Sequence, residues 1–224
     1  MQRRVTSPGV SRTPTAGDTL GQAEAEAEAG VDVEEDEGWP VAVGTTSLSV
    51  PLPGLDRLVA PWRRVWDTAA RHGGTAHATV LFPFLPRERV DGDARAALAR
   101  VFAAHPPFAL RFSGCARFPG VLWLRPEPDA PLRALTADVT AHWPEHRPYD
   151  GLFGDLDPHV TVANSGDARQ HDLIEAALAP HLPLTERVEA VDLVAYDGVE
   201  WRQWLRFPLG RADGPPAGHS STNC

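Results

Sequence analysis

The segment TAHATVLF (residues 75–82) constrains the fold most, because apolar and polar residues alternate along it. Successive side chains of an extended strand point to opposite faces, so residues two apart share a face. The even positions are all apolar, whereas His77 and Thr79 lie on the other face with Thr75. The segment therefore predicts a strand that is anchored on one side and presents an imidazole and a hydroxyl on the other.

The same pattern occurs again in PHVTVAN (residues 158–164), where Val160 and Val162 share one face and His159 and Thr161 share the other. A lone His-x-Thr is a weak signal, since the chain has nine histidines. Two copies, each on an apolar-backed strand and each followed by a helix, indicate a shared role. The spacing between them leaves room for a duplicated half.

The remaining pattern predicts an α+β fold with antiparallel sheets. Helices separate strands that mostly arrive as hairpins, which favours antiparallel pairing. Strands are predicted in SLSVPLP, FALRFSGCARF, GVLWLRPEP, RVEAVDLVAYDG and EWRQWLRFPL, and helices in LVAPWRRVWDTAARHGG, DARAALARVFAAH, APLRALTADVTAHW and ARQHDLIEAALA. Asp167 is the predicted N-cap of the last helix.

Both ends of the chain differ in composition from the middle. Residues 1–40 combine Pro, Gly, Ser and Thr with acidic runs and few large apolar residues, which predicts a disordered acidic tail. Residues 41–211 form the predicted domain, with two pseudo-symmetric lobes. Residues 212–224 are predicted to be a flexible C-terminal tail.

Composition and charge exclude several classes of function. The chain has no lysine, and residues 1–40 account for −6 of its net charge of −9, so a basic surface for long DNA or other long nucleic acid is not expected. No apolar run is long enough to span a bilayer, and the N-terminus lacks the apolar stretch of a secretory signal. Two distant cysteines favour unpaired thiols. We therefore expect a cytoplasmic protein, with a monomer as the default for an oligomeric state that the sequence leaves open.

Two imidazoles that face a common cleft suit phosphodiester chemistry. Neutral His77 or His159 could take a proton from attacking water while the other, protonated, delivers one to the leaving oxygen. Both forms of histidine coexist near neutral pH. The Thr79 and Thr161 hydroxyls could donate hydrogen bonds to phosphate oxygens. This arrangement requires neither a metal nor another cofactor.

The segments HATVLFPF and HVTVA resemble the two signature motifs of the 2H phosphoesterase superfamily, in its bacterial 2′-5′ RNA ligase-like branch. The likeness extends over most of residues 45–208. It implies a bilobal fold of two antiparallel sheets with helices outside and a central cleft. It also implies phosphodiesterase or RNA-joining activity on 2′,3′-cyclic phosphate ends or 2′-5′ linkages, with His77 and His159 as catalytic residues and Thr79 and Thr161 as phosphate-binding residues.

One departure from that pattern concerns the residues after the second motif. Many members of the superfamily carry a basic residue there, where this chain has Asn164 and Ser165. An arginine could clamp an anion in a way that asparagine cannot. In the approach to His159, Tyr149 and Phe153 are candidates for stacking on a nucleobase, and equally for pinning the loop to the core.

These observations predict a metal-independent phosphodiesterase, a hydrolase of RNA processing that acts on a nucleotide or RNA terminus. Its substrates would be 2′,3′-cyclic phosphates or 2′-5′ linked nucleotides, and RNA 2′-5′ ligation would be the reverse reaction of the same site. Which histidine is the base stays open, because the motifs are nearly symmetric. The alternative is a catalytically idle module that binds nucleotides or RNA ends.

Overall fold

The computed structural model describes residues 41–154 and 156–210, so the predicted tails over residues 1–40 and 212–224 lie outside the described residues. The elements, in chain order, are β1 (Thr46–Pro51), α1 (Pro53–Trp66), α2 (Thr68–Arg71), β2 (His77–Leu81), α3 (Gly92–Ala103), β3 (Phe108–Phe118), β4 (Val121–Glu127), α4 (Ala130–His142), β5 (Val160–Ala163), α5 (Ala168–Leu178), β6 (Leu184–Val188), β7 (Ala190–Tyr196) and β8 (Trp201–Pro208). Short 3₁₀ turns cover Arg87–Arg89, Pro148–Gly151 and Ala179–His181. No helix in the described part of the chain is long and apolar enough to cross a membrane.

The strands form two four-stranded sheets in which every pairing is antiparallel. The first sheet has the order β2-β1-β7-β8 and the second the order β5-β4-β3-β6. The two His-x-Thr segments thus supply the edge strand of each sheet, β2 in one and β5 in the other. The predicted α+β class and the bilobal arrangement of two antiparallel sheets are confirmed.

The prediction over RVEAVDLVAYDG was wrong in one respect, because this stretch contains parts of two strands. β6 pairs with β3 in the second sheet, and β7 pairs with β1 in the first, so the chain changes sheets at Glu189. The burial pattern explains the break. Val188 is buried at an even position, whereas Val191 and Leu193 are buried at odd positions, so the apolar face reverses between them.

Two further boundaries differ from the sequence prediction. The first helix is interrupted at Asp67, which caps the short helix α2 by accepting a hydrogen bond from the Ala69 amide at 3.0 Å. The apolar alternation in β2 holds as far as Val80, after which Leu81 is fully buried and Phe82 is only partly buried. The prediction that Asp167 caps α5 is confirmed, by a capping box with Gln170.

Helix α1 belongs to the first half of the chain but packs against the second sheet. It has contacts with β5, β6 and α5. Its N-terminal turn is held by Glu186 of β6, whose carboxylate accepts a hydrogen bond from the Leu55 amide at 2.5 Å. Helix α4 makes the reciprocal contact, since the Thr136 hydroxyl donates to the Val80 carbonyl of β2 at 2.9 Å. Each of these two helices therefore packs against a sheet of the other half of the chain, which holds the lobes together.

A buried ion pair lies on α1 beside β2. Arg63 and Asp67 are each 2% exposed, and the guanidinium contacts the carboxylate at 2.9 Å. Arg63 also donates to the Gly74 carbonyl at 3.2 Å, three residues before His77. The other Asp67 oxygen accepts from the Asn164 side chain at 3.2 Å. This pair therefore links the segment that precedes the first motif to the segment that follows the second.

We expect Asp67→Asn to lower the free energy of unfolding by about 3–5 kcal/mol, because it leaves a buried guanidinium without its counter-charge. Denaturant unfolding followed by circular dichroism measures this loss. Arg202→Gln is the matched control, since that arginine is 65% exposed and its pair with Asp197 is open to solvent. An equal loss of stability in both variants would contradict the special role of the buried pair.

Candidate active site

The two motif strands meet across the cleft between the sheets. β2 and β5 are edge strands, and Cα atoms of the two lie within 8 Å of each other. The imidazoles lie close enough to interact electrostatically, since a positive charge on His159 lowers the pKa of His77. Both rings are half-buried, neither sealed in the core nor fully solvated. The structure thus brings the two sequence-predicted histidines to one place.

His77 is oriented by its own strand. Its Nδ1 lies 2.7 Å from the Thr75 carbonyl oxygen, which fixes Nδ1 as the protonated nitrogen of the neutral ring and leaves Nε2 to the cleft. Burial lowers the pKa of His77 below 6.5, and the Arg63 charge lowers it further. The Thr75 hydrogen bond and the Asp67 carboxylate oppose that shift. A ring in this setting favours the neutral form.

His159 has an equivalent orientation in the second lobe. Its Nδ1 lies 2.9 Å from the Asp157 carbonyl oxygen, again two residues earlier. Burial lowers the pKa of His159, whereas the Asp157 backbone hydrogen bond and then the Asp157 carboxylate raise it. The ring meets Phe118 edge-on at 5.2 Å and Trp123 at 6.0 Å between centroids. Two aromatic rings therefore form the wall behind this imidazole.

The two threonines lie on the strands with their histidines, but their neighbours differ. Thr79 is paired with Ser49 of β1. Burial raises the pKa of Tyr149, and its interaction with the Thr79 side chain opposes that rise. Thr161 is paired with Trp123 of β4. Both threonines are half-buried and share a strand face with their histidines.

The two aromatic candidates lie on the loop between α4 and β5. Tyr149 is half-buried and meets Phe82 and Phe153 edge-on, with ring centroids 6.0 and 5.6 Å apart. Phe153 is 61% exposed, so it offers a free ring face. The neighbouring Leu152 is 79% exposed. The structure therefore separates the two residues, one held against β2 and one open to solvent.

Arg63 and Asp67 were not among the residues predicted for the site, although the sequence carries a signal for them. Arg63 falls on the buried stripe of α1, one turn after Val59, and Asp67 follows at i+4. An arginine on an apolar helix face with an acid four residues later predicts a buried ion pair. Such a pair beneath a catalytic candidate changes the electrostatics of that candidate.

Asn164, which replaces the basic residue of many superfamily members, has a structural role here. Its side-chain oxygen accepts a hydrogen bond from the Thr68 amide at 3.3 Å, and its backbone amide donates to the Trp66 carbonyl at 2.8 Å. Gly166 has φ of +85°, and a Cβ there would lie 3.0 Å from the Trp66 ring. This segment therefore closes the junction between the lobes instead of extending a cation into the cleft.

The surroundings of the histidines offer limited means of holding other ligands. The described residues contain no group of three or more His, Cys, Asp or Glu side chains that could hold a metal ion. A cavity of about 230 Å³ borders the second lobe beside Asp157 and Pro158. Arg125 lines it and lies 5.4 Å from the centre of the Trp123 ring. On the His159 side of the cleft, the Arg125 guanidinium contacts an aromatic ring, and it forms no ion pair with any of the described residues.

Comparison with known proteins gives a family and supports the fold. Residues 51–200 match the model of the 2′-5′ RNA ligase superfamily. Among proteins of curated function, no sequence matches the chain. The protein TT0787 of Thermus thermophilus is similar in structure, with 21% identity and a TM-score of 0.52 over 75% of this chain and 100% of that one.

A crystal structure of Escherichia coli LigT complexed with NADP⁺ is more distant, with 17% identity and a TM-score of 0.47 over 76% of this chain and 100% of that one. LigT complexed with 3′-AMP gives 17% identity and a TM-score of 0.48, over 75% of this chain and 98% of that one. The similarity to TT0787 therefore supports the fold, and the match to residues 51–200 shows the family. Since that match spans more than half of the sequence and includes both His-x-Thr strands, the chain belongs to the 2′-5′ RNA ligase superfamily, within the 2H phosphoesterases.

Proposed function

We propose that this protein is a metal-independent phosphodiesterase that hydrolyses 2′,3′-cyclic phosphate ends or 2′-5′ linked nucleotides. The observation that carries the proposal is the pairing of two equivalently oriented imidazoles, His77 and His159, across one cleft. Each ring engages a backbone carbonyl through Nδ1, so each has Nε2 available for proton transfer at the phosphate.

The proposed reaction uses the two rings in complementary protonation states. The neutral imidazole takes a proton from water as the water oxygen bonds to phosphorus, and the protonated imidazole gives a proton to the ribose oxygen as its bond to phosphorus breaks. The net change is the addition of one water. Thr79 and Thr161 donate hydrogen bonds to the other phosphate oxygens, where charge develops. RNA 2′-5′ ligation would use the same two rings with a 5′-hydroxyl in place of water: its oxygen bonds to the phosphorus of a 2′,3′-cyclic phosphate as the bond to the 3′-oxygen breaks, with no water consumed or released.

The proposed substrate side of the cleft lies along the α4–β5 loop. Phe153, with its exposed ring, would stack on the nucleobase, and Tyr149 supports it edge-on. The proposed partner is a nucleotide or an RNA terminus. The idle binding module remains the second candidate because Asn164 stands where many relatives have a cation, and turnover separates the two.

We expect His77→Ala and His159→Ala each to lower kcat/KM for a nucleoside 2′,3′-cyclic phosphate at least about a hundredfold, the usual scale for losing an acid or base. Chromatography of the phosphomonoester product, in EDTA throughout, measures the rates. His142→Ala, an exposed histidine at the end of α4, is the matched control. Binding of the substrate without turnover by the unmodified protein would favour the idle module, and loss of activity in EDTA would refute the metal-free mechanism.

We expect a bell-shaped pH dependence of kcat/KM with its maximum below pH 6.5. The base must be neutral, so activity is lost as the pH falls through its pKa, and the acid must be protonated, so activity is lost as the pH rises through its pKa. Burial lowers both histidine pKa values from 6.5, which moves both limbs to lower pH.

The profile of kcat should lie at higher pH than that of kcat/KM. It reports the complex, in which the phosphate anion raises both histidine pKa values. Initial rates are measured in buffers of constant ionic strength over about pH 4.5 to 8, because this range covers both limbs of each profile. A kcat/KM maximum well above pH 7 would contradict the electrostatic description of the free site.

We expect Phe153→Ala to raise KM for an adenosine 2′,3′-cyclic phosphate about tenfold with little change in kcat, since stacking on a base contributes roughly 1–3 kcal/mol. Leu152→Ala is the matched control, because its exposed side chain has no ring. A cyclic phosphate without a base, such as glycerol cyclic phosphate, should show the same KM with both variants. An equal effect on both substrates would place the contribution of Phe153 elsewhere than at the base.

A further inference from the structure

Arg125 lies on the same face of the second sheet as the second motif. β4 pairs with β5 in a register that puts Trp123 opposite Thr161. Two residues further along the same register, Arg125 is opposite His159. Side chains that are directly opposite in an antiparallel pair project from the same face of the sheet. Arg125 is therefore the neighbour of His159 on the strand that flanks the edge strand.

The indole of Trp123 contacts both of these side chains. It is buried and stacks on the Phe118 ring, with the two centroids 4.7 Å apart. The His159 ring meets it at 6.0 Å between centroids, and the Arg125 guanidinium carbon lies 5.4 Å from its centre. The imidazole and the guanidinium are thus held against one ring, the guanidinium by a cation–π contact.

The contact with a ring face leaves the N–H groups of the Arg125 guanidinium for other partners. The side chain is exposed, and it makes no hydrogen bond and no ion pair with the described residues. A guanidinium has five N–H donors in a planar fork that matches two oxygens of a phosphate. An exposed cation beside His159 can therefore bind an anion without breaking an existing pair.

The cavity beside Arg125 also borders three carboxylates, those of Glu127, Asp129 and Asp157. Arg133 holds two of them, since it contacts Asp129 at 2.7 Å and Asp157 at 2.5 Å. Glu127 lies two residues after Arg125, whereas the Arg125 guanidinium extends in the opposite direction, over the residue two positions before it. An anion is therefore favoured at the end of the cavity next to the second motif.

This position is displaced from the reacting phosphate, which by the proposed function lies between His77 and His159. β4 is one strand further from the cleft than β5, about 4.8 Å away in a regular sheet. The Arg125 guanidinium contacts Trp123 and neither motif threonine. In a chain that ends in a 2′,3′-cyclic phosphate, the next phosphate is on the 5′-oxygen of the same ribose, so one ribose separates the two groups.

The proposed base contact lies on the other side of the cleft. Phe153 meets Tyr149, which in turn meets Phe82 at the end of β2. The base and the 5′-phosphate leave a ribose from opposite ends of the sugar. A nucleotide whose base lies beside β2 can therefore direct its 5′-phosphate toward the strands of the second sheet.

We propose that Arg125 binds a second phosphate group, the one on the 5′-oxygen of the nucleoside that carries the reacting phosphate. The site then prefers a 5′-phosphorylated nucleotide or an RNA end over a nucleoside 2′,3′-cyclic phosphate. This inference rests on the proposed function for the position of the reacting phosphate. The guanidinium contributes a bidentate, charge-assisted contact, which is stronger than a hydrogen bond between neutral groups.

The first test compares two ligands that differ only in the 5′-phosphate. Calorimetric titration of the unmodified protein measures the affinities of adenosine 3′-monophosphate and adenosine 3′,5′-bisphosphate. We expect the bisphosphate to bind about tenfold more tightly at low ionic strength, the scale of a charge-assisted contact. Equal affinities would overturn the inference, whichever reaction the site performs.

The second test removes the guanidinium. Arg125→Gln should abolish the preference for the bisphosphate and leave the affinity for the monophosphate nearly unchanged. Arg125→Lys keeps the charge but lacks the planar fork, so it should retain part of the preference. Arg100→Gln is the matched control, because this exposed arginine is on α3, which packs mainly against β8 and α4. If melting temperatures show that Arg125→Gln does not fold, Arg125→Lys and the unmodified protein carry the test.

Turnover identifies the source of the second phosphate. The substrates are adenosine 2′,3′-cyclic phosphate, its 5′-phosphorylated form, and an adenosine dinucleotide that ends in a 2′,3′-cyclic phosphate. A gain in kcat/KM that Arg125→Gln abolishes supports the inference. A gain with the 5′-monoester alone indicates a free nucleotide, and a gain with the dinucleotide indicates an RNA end. A gain that survives Arg125→Gln would overturn the inference.

Failure of this inference and failure of the proposed function give different results. A protein that turns over all three substrates equally, or that Arg125→Gln slows equally on all of them, is a phosphodiesterase without this subsite. A protein that turns over none of them, yet prefers the bisphosphate and loses that preference in Arg125→Gln, has the subsite without the activity.

Discussion

The buried Arg63–Asp67 pair is the interaction on which the geometry of the cleft depends. No strand of one sheet pairs with a strand of the other. Hydrogen bonds within each sheet therefore cannot keep the edge strands β2 and β5 facing each other. The pair links the two edge strands because it contacts a segment next to each of them. Arg63 donates to the Gly74 carbonyl just before β2, and Asp67 accepts from the Asn164 side chain just after β5. Its own burial is compensated because nearly every polar atom has a partner.

Arg63 and Asp67 affect both the position of β2 and the electrostatic surroundings of His77. Arg63 lowers the pKa of His77, and Asp67 opposes it. Because the pair is buried, its effect on the pKa of a neighbouring imidazole is screened less by salt than the effect of a surface charge is. Among the described residues no buried ion pair lies beside His159, whose pKa is lowered by burial and raised by Asp157. The two rings are therefore equivalent in backbone orientation but differ in electrical surroundings, an asymmetry that the nearly symmetric motifs do not reveal.

Local patterns in the sequence predicted much of the fold. The alternation in TAHATVLF and HVTVA and the Asp167 cap both act within a few residues, and the elements they predict are present. The break at Glu189 was missed because a change of sheet is a tertiary event, and the reversed burial at Val188 and Val191 is its only local trace. The exchange of α1 and α4 between the sheets likewise depends on distant partners.

The candidate site shows the same division. His77, Thr79, His159 and Thr161 could be named from strand periodicity, and the structure places them around one cleft. The contact between Tyr149 and Phe82 joins residues 67 positions apart and depends on a left-handed backbone at a residue that gives no sequence signal for it. Glycine or asparagine would have suggested that conformation, whereas a tyrosine there suggested only a ring that stacks on a nucleobase or pins the loop to the core.

The position of Asn164 has a consequence for how a phosphate would be held. In many superfamily members a cation follows the second motif, whereas here that segment is committed to the junction with α1. A phosphodiester in this cleft would depend mainly on neutral donors and on whichever imidazole is protonated. Neutral hydroxyls contribute little unless their hydrogens are already directed, because each must otherwise reorient as charge develops.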